Sequence, residues 1–302
     1  MKLALFVALG VFGAFYVVAL LAAVRRARLA GAGQEARPGW FETALGFVTA
    51  FFDTLGIGSF APTTAVIKLR HLTADEKIPG TLNVGHTLAT IAQAFIFIAV
   101  VEVDLGTLVA MIVAACLGSW LGAGLVARAS RRKIQIAMGL ALLGAAALFL
   151  LKIFDIAPAG GDTLYLAGWR LAAGLAGNFA LGALMEVGVG LYAPCMIMVS
   201  LLGMNTTAAF PIMMGSCAFL MPVGSVKFIR SGRYSLRTTL GLALGGVPAV
   251  LLAAFIVKSL PLEALRWLVV VVVLYAALSM LRSAAVDAKG GAASDPPSSA
   301  AP

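Results

Sequence analysis

Apolar runs of more than about 18 residues recur along this chain from one end to the other. No soluble core can absorb so many. The residues are 61% hydrophobic and mean hydropathy is +1.01, where a soluble domain holds roughly 45–50% apolar residues. The chain therefore reads as an all-α polytopic membrane protein with about nine hydrophobic segments. These are Leu3–Val24, Phe41–Leu69, Ile78–Val101, Leu105–Ala127, Ile134–Leu151, Leu171–Gly203, Thr206–Val226, Thr238–Val257 and Leu265–Leu281.

Two segments are too long for one crossing. As single helices Phe41–Leu69 and Leu171–Gly203 would reach ~43 and ~50 Å, against a hydrocarbon core of about 30 Å. Both contain an out-of-place polar and glycine-rich stretch: DTLGIGSFAP at Asp53–Pro62, and Glu186 followed by GVGLYAP at Gly188–Pro194. At one constant offset Gly56, Gly58, Ala61 and Pro62 match Gly188, Gly190, Ala193 and Pro194, and Pro79 matches Pro211. A single GxG among 33 glycines carries no weight. A repeated set inside the two overlong segments indicates a duplicated half. The organisation expected is an N-terminal transmembrane helix with a basic loop (1–40), a first repeat (41–151), a second repeat (152–283) and a disordered tail rich in Ala, Ser, Gly and Pro (284–302).

Charge gives the orientation. The net charge of +9 sits in short loops between apolar segments, with no basic patch interleaved with aromatics. That pattern marks cytoplasmic loops and excludes a nucleic-acid partner. If each overlong segment crossed once, Lys and Arg would divide almost evenly between the two sides. If each enters, breaks and returns, most become cytoplasmic, among them Lys68, Arg70, Lys77, Arg128, Lys227, Arg233, Arg237 and Lys289. The second arrangement satisfies the positive-inside rule and makes the two halves inverted repeats with broken, re-entrant helices. A tilted, kinked single span is the competing reading. Arg25, Arg26 and Arg28 follow the first apolar run, which makes it a retained helix rather than a leader. The expected location is the cell inner membrane, multi-pass, with a cytoplasmic C-terminus.

The broken stretches suit binding. A helix interrupted at membrane depth bares N–H and C=O groups and survives only where protein or a watery cavity covers them. Pro62 and Pro194 suit the first position of a new half-helix. The amides that follow, of Thr63, Thr64 and Ala65 and of Cys195, Met196 and Ile197, would then face an anion with the positive end of a helix dipole. Substrate-binding candidates are Gly56, Gly58, Pro62, Thr63, Thr64, Asn83, His86, Gly188, Gly190, Pro194 and Cys195. Thr87 and Gln93 lie on the same segment as Asn83 and His86. Close helix packing is the bland reading of the glycines, and of the Gly118/Gly122 pair as well. Asp53 and Glu186 are candidates for proton coupling, because acids at membrane depth are costly and usually functional. Capping a broken helix end is the alternative for both. A lone membrane histidine such as His86 more often just hydrogen-bonds a neighbouring helix, and Lys227 snorkels to the cytoplasmic surface.

The stretches GFVTAFFDTLGIGSFAP and GALMEVGVGLYAP, with the glycine-rich Leu117–Ala127, resemble the sulfite exporter TauE/SafE family between about Trp40 and Leu281. The resemblance places the family motif on Gly56, Gly58 and Pro62 and on Gly188, Gly190 and Pro194. It implies a permease of two related halves for small sulfur-containing anions. Ser59 and Leu191 stand where the family often has a further glycine, and the N-terminal helix is additional to its usual pattern.

No nucleotide-binding motif is present, so transport is expected to be secondary. With what the resemblance implies, the expected function is export of a small oxyanion such as sulfite, a sulfonate or sulfoacetate. A cation or metal-ion permease built on Asp53, Glu186, Asn83 and His86 is the alternative. Cys116, Cys195 and Cys217 lack CxxC spacing, and only His71 and His86 are available, so neither a disulfide framework, a metal site nor an enzyme is expected. No cofactor is implied. The partners are the lipid bilayer and a small anion, and a homo-oligomer is left open.

Overall fold

The computed structural model describes residues 1–31, 37–126, 129–154, 156, 161–188, 190–256, 274, 277–278, 281–282 and 284–286. The described residues are almost wholly helical. In chain order they form α1 (Lys2–Leu29), α2 (Trp40–Thr54), α3 (Phe60–Leu69), α4 (Ile78–Val100), α5 (Leu105–Val126), α6 (Arg131–Ile153), α7 (Gly168–Met185), α8 (Tyr192–Leu201), α9 (Ala209–Ser231) and α10 (Leu236–Ile256). Among the described residues five helical stretches are long and apolar enough to cross a membrane: Lys2–Leu29, Asp75–Val100, Leu105–Val126, Ala209–Ser231 and Leu236–Ala254. The chain is thus a multi-pass, all-α membrane protein. Most of the ninth expected segment, Leu265–Leu281, lies outside the described residues, as do Arg128, Lys289 and the tail from 287 onward.

Sequence decides which helices lie outside. α1 buries only Leu5, Leu9, Tyr16, Leu20 and Ala23. Steps of three, four and seven residues put them on one stripe, and the remaining apolar surface is free to meet lipid. α9 is buried nearly all round. It forms the centre of a row in which α2 packs on α10, α10 on α4, α4 on α9, α9 on α5 and α5 on α7.

The outer pairs of this row approach to backbone contact. A Cβ on Gly118 would stand 1.9 Å from the Phe179 carbonyl, and one on Gly182 would stand 2.1 Å from that of Ala115. On the other side a Cβ on Gly245 would stand 1.9 Å from the carbonyl of Thr43. Small residues permit such approaches, which drive helix association in lipid through van der Waals packing. The Gly118/Gly122 pair is therefore a packing face.

Both overlong segments are interrupted. α2 stops at Thr54 and α3 starts at Phe60; α7 stops at Met185 and α8 starts at Tyr192. Gly56 (φ 83°), Gly58 (φ 90°) and Gly188 (φ 99°) take left-handed backbone that residues with a Cβ rarely adopt. Each short helix then turns back. The guanidinium of Arg70, after α3, lies 4.8 Å from the Phe41 ring centroid at the start of α2. On the other hairpin, the chain before α7 runs beside the chain after α8: Gly161 N donates to Met204 O at 3.0 Å and Asn205 N to Thr163 O at 2.8 Å.

Polar contacts cluster near the α2–α3 opening. Arg237 pairs with Glu42 at 2.7 Å and Lys68 with Asp75 at 2.8 Å. Gln135 donates to Asp75 at 2.9 Å, and Arg233 donates to the Ala129 carbonyl at 2.7 Å. These contacts gather the starts of α2, α4, α6 and α10 and the ends of α3, α5 and α9 at one end of the molecule.

Candidate functional site

The two interruptions meet in the interior. A Cβ on Gly190 would stand 3.7 Å from Phe60 Cβ. Between them is a cavity of about 10 Å³, lined by Asp53, Gly58, Ser59, Phe60, Thr90, Met185, Gly190, Leu191, Tyr192 and Cys217. That is room for roughly one water.

A buried hydrogen-bond chain crosses the site. Tyr192 Oη donates to Gln93 Oε1 at 2.6 Å, and Gln93 Nε2 donates to Asp53 Oδ2 at 2.9 Å and to Thr54 Oγ1 at 3.0 Å. Ser59, at the start of α3, lines the same cavity as the Asp53 carboxyl. Asp53 thus ties the end of α2 to α4, and Tyr192 connects this cluster to α8. A second contact joins α3 to α4, where Thr63 Oγ1 lies 3.0 Å from His86 Nε2.

Glu186 belongs to a separate cluster. Ser119 on α5 donates to its Oε1, while Oε2 is buried without a partner. Its carboxyl presses against α9, where a Cβ on Gly224 would stand 2.4 Å from Oε1. Three other buried side-chain atoms near the first interruption lack partners: Thr64 Oγ1, Asn83 Oδ1 and His86 Nδ1. Asn83 Nδ2 is used on its own helix, donating to Pro79 O at 3.1 Å.

The helix starts correct one expectation. Pro62 and Pro194 occupy the third helical position, not the first, because α3 begins at Phe60 and α8 at Tyr192. Thr63 N already donates to Ser59 O at 3.0 Å and Cys195 N to Leu191 O at 2.9 Å. The amides without an intrahelical acceptor are therefore those of Phe60 and Ala61 in one half and of Tyr192 and Ala193 in the other. A proline within the first turn still sacrifices no helix bond. Sequence could not distinguish first from third position.

Of the expected binding residues, Gly58 and Gly190 line the cavity, together with Asp53. Thr63 and His86 touch each other just behind it. Gly56 packs against Phe210 and Met196, and Gly188 against Met138 and Leu82. Cys195 is fully buried in the first turn of α8. Lys227 donates to the Trp120 carbonyl and lies 4.7 Å from that ring's centroid. Tyr192, Thr90, Ser59 and Ser119 were missed. Tyr192 had a signal, for it stands inside the second motif where the first has Phe60, and only the tyrosine brings a hydroxyl. Ser119 had none, being one small residue on an apolar helix.

Fold and site together define a multi-pass membrane protein with paired broken helices meeting at a buried polar centre. Residues 2–149, just under half of the chain, match the family model described as sulfite exporter TauE/SafE, and the chain is similar to that family over those residues. The match takes in α1, which the sequence resemblance had left out, and stops before the second motif. No curated protein and no solved structure matches the chain. Among the described residues no group of three or more His, Cys, Asp or Glu side chains could hold a metal ion.

Proposed function

We propose that this protein is a secondary transporter that exports a small oxyanion, of the class of sulfite, a sulfonate or sulfoacetate, across the cytoplasmic membrane. The observation that carries this reading is the meeting of two broken helices. The free amide ends of α3 and α8 converge on one cavity, beside buried polar atoms that lack partners. Helix N-termini favour negative charge, and two of them can hold an oxyanion from opposite sides.

The two halves act as inverted repeats. The neighbour row supports this, since it is unchanged when α2, α4 and α5 are exchanged for α7, α9 and α10. The hairpin returns support it too, α3 beside the start of α2 and α8 beside the start of α7. The end carrying Lys68, Arg70, Arg233 and Arg237 is the cytoplasmic one.

A cavity with room for about one water is a closed state. Opening it separates α8 from α4 and breaks the Tyr192–Gln93 bond. The hydroxyl of Tyr192 is then a free donor, and an oxyanion arriving between the breaks accepts from it, while both N–H groups of Gln93 stay on Asp53 and Thr54. The anion thus pairs a buried hydroxyl whose loss of partner would cost about 1–3 kcal/mol. Alternating access then proceeds by rocking of the halves around the paired ends. Glu186, with one carboxylate oxygen unpartnered, is the stronger candidate for proton coupling.

The test is uptake into liposomes holding the purified full chain, with sulfite, thiosulfate, taurine, sulfoacetate and simple carboxylates as probes. Saturable flux of at least one sulfur oxyanion, inhibited by the others, is the expected result. Flux of a cation with no competition by any oxyanion overturns the reading in favour of the acid-based permease. For the topology, cysteines replacing the exposed Lys77 and Thr207, in a background without the three native cysteines, are expected to label from opposite sides of the membrane.

A further inference from the structure

α1 and α5 both flank α9 and leave a cleft between them. Its volume is about 510 Å³, and its lining includes Phe12, Phe15, Trp120, Val223, Lys227 and Arg230. That volume falls within the range of about 300–1,000 Å³ typical of small-molecule pockets. The cleft lies on the outer surface of the bundle, where Phe15 and Trp120 are each more than half exposed, 53% and 57%.

Its two ends differ in chemistry. Phe12 on α1 meets Phe219 on α9 edge-on, with ring centroids 5.2 Å apart, and fixes the register of the two helices. Val223, Lys227 and Arg230 follow on α9 at steps of four and three residues, so they share one face. Lys227 and Arg230 stand ~12 and ~16 Å further along the axis than Phe219. They lie in the last turns of α9, close to the helix end at Ser231. The cleft is therefore apolar and aromatic along its depth and doubly cationic at its mouth. Lys227 spends one N–H on the Trp120 carbonyl and has two left. Arg230 is exposed, and among the described residues it has no acidic partner.

We infer that this cleft binds one anionic phospholipid, with the headgroup phosphate between Lys227 and Arg230 and an acyl chain against Phe12, Phe15 and Val223. A lipid is the occupant that both ends demand, because a free anion leaves the aromatic depth uncovered and a neutral lipid leaves Arg230 and two N–H groups of Lys227 without an acceptor. Basic pockets between transmembrane helices recognise lipid headgroups in this way. Trp120 closes the cleft at the level where tryptophans sit among headgroups. The inference needs only the multi-pass membrane reading and is independent of what the protein transports.

The experiment measures lipid retention by native mass spectrometry, and thermal stability, of the full chain in detergent. The additions are phosphatidylglycerol, phosphatidylcholine or inorganic phosphate. One phosphatidylglycerol per chain is expected to be retained and to raise Tm more than phosphatidylcholine does. Lys227→Gln and Arg230→Gln are each expected to weaken that retention about fivefold, and the pair about 25-fold, the scale of one cation near an anionic lipid surface. Tm in phosphatidylcholine is expected to stay put. Val223→Trp keeps both cations and fills the depth, so it is expected to lower retention of either lipid, and it serves if the charge variants fail to fold. Equal retention of the two lipids, an undiminished phosphatidylglycerol preference in the paired variant, or the same stabilisation from inorganic phosphate overturns the inference.

Discussion

The two broken hairpins share a sequence pattern but use it differently. At the first, Asp53 is bonded to Gln93 and lies beside Ser59 at the start of α3. At the second, Glu186 reaches away from α8 toward α5 and α9 and keeps one oxygen without a partner. Glycine use differs too. Gly58 requires left-handed backbone and Gly190, its match, does not. Phe60 offers only a ring, while Tyr192 offers a hydroxyl that reaches Gln93 in the other half. The shared pattern therefore yields two similar breaks. Single-residue differences give one break an acid bonded to Gln93 and a glycine under constraint, and give the other an acid with one unpartnered oxygen and the cross-link.

The largest test of this comparison concerns what the two halves have in common. Gly118→Leu and Gly245→Leu each drive a side chain into facing backbone 1.9 Å from the new Cβ. Neither helix pair can yield without separating, so both variants are expected to lose folded, monodisperse protein by size-exclusion chromatography. If one is tolerated, the outer helix pairs of the two halves are not held alike.

The acids come next. Asp53→Asn turns an amide toward the donor on Gln93 and is expected to cost about 1–3 kcal/mol, read as a fall in Tm. Glu186→Gln can aim its new amide away from Ser119 and is expected to change stability by less than about 0.5 kcal/mol. Its effect should appear instead as transport that no longer follows an imposed proton gradient. The reverse pattern would exchange the roles of the two acids.

Tyr192→Phe removes the bond between the halves and keeps the ring. A loss of about 1 kcal/mol is expected, with a several-fold change in uptake rate. Unchanged flux would make the cross-link a packing feature only. A last pair of variants separates the glycines. Gly58→Ala forces a Cβ into left-handed backbone, at about 1–2 kcal/mol. Gly190→Ala meets ordinary van der Waals contact and is expected to stay within about 0.5 kcal/mol in thermal melts.

Much of this was legible from residues alone. Segment length against bilayer thickness marked Phe41–Leu69 and Leu171–Gly203 as broken, and the glycines at 56, 58 and 188 marked where. Those are local properties, since left-handed backbone and the absence of a Cβ act at the residue that carries them. Proline placed the helix starts only to within a turn, because any position in the first turn leaves a proline's missing donor harmless. That ambiguity put the free amides on Thr63 and Cys195, when they belong to Phe60, Ala61, Tyr192 and Ala193.

The amino-acid sequence by itself determined that the chain lives in lipid, that it is helical, and that two of its apolar segments are interrupted. Burial and backbone hydrogen bonding in a bilayer leave no other solution for such runs. The tertiary structure alone decided that the two stops face each other, that Tyr192 reaches Gln93, and that Asp53 and Glu186 sit in separate clusters. Those pairings join residues far apart in the chain. They depend on how closely whole helices can approach, a quantity that no local pattern encodes.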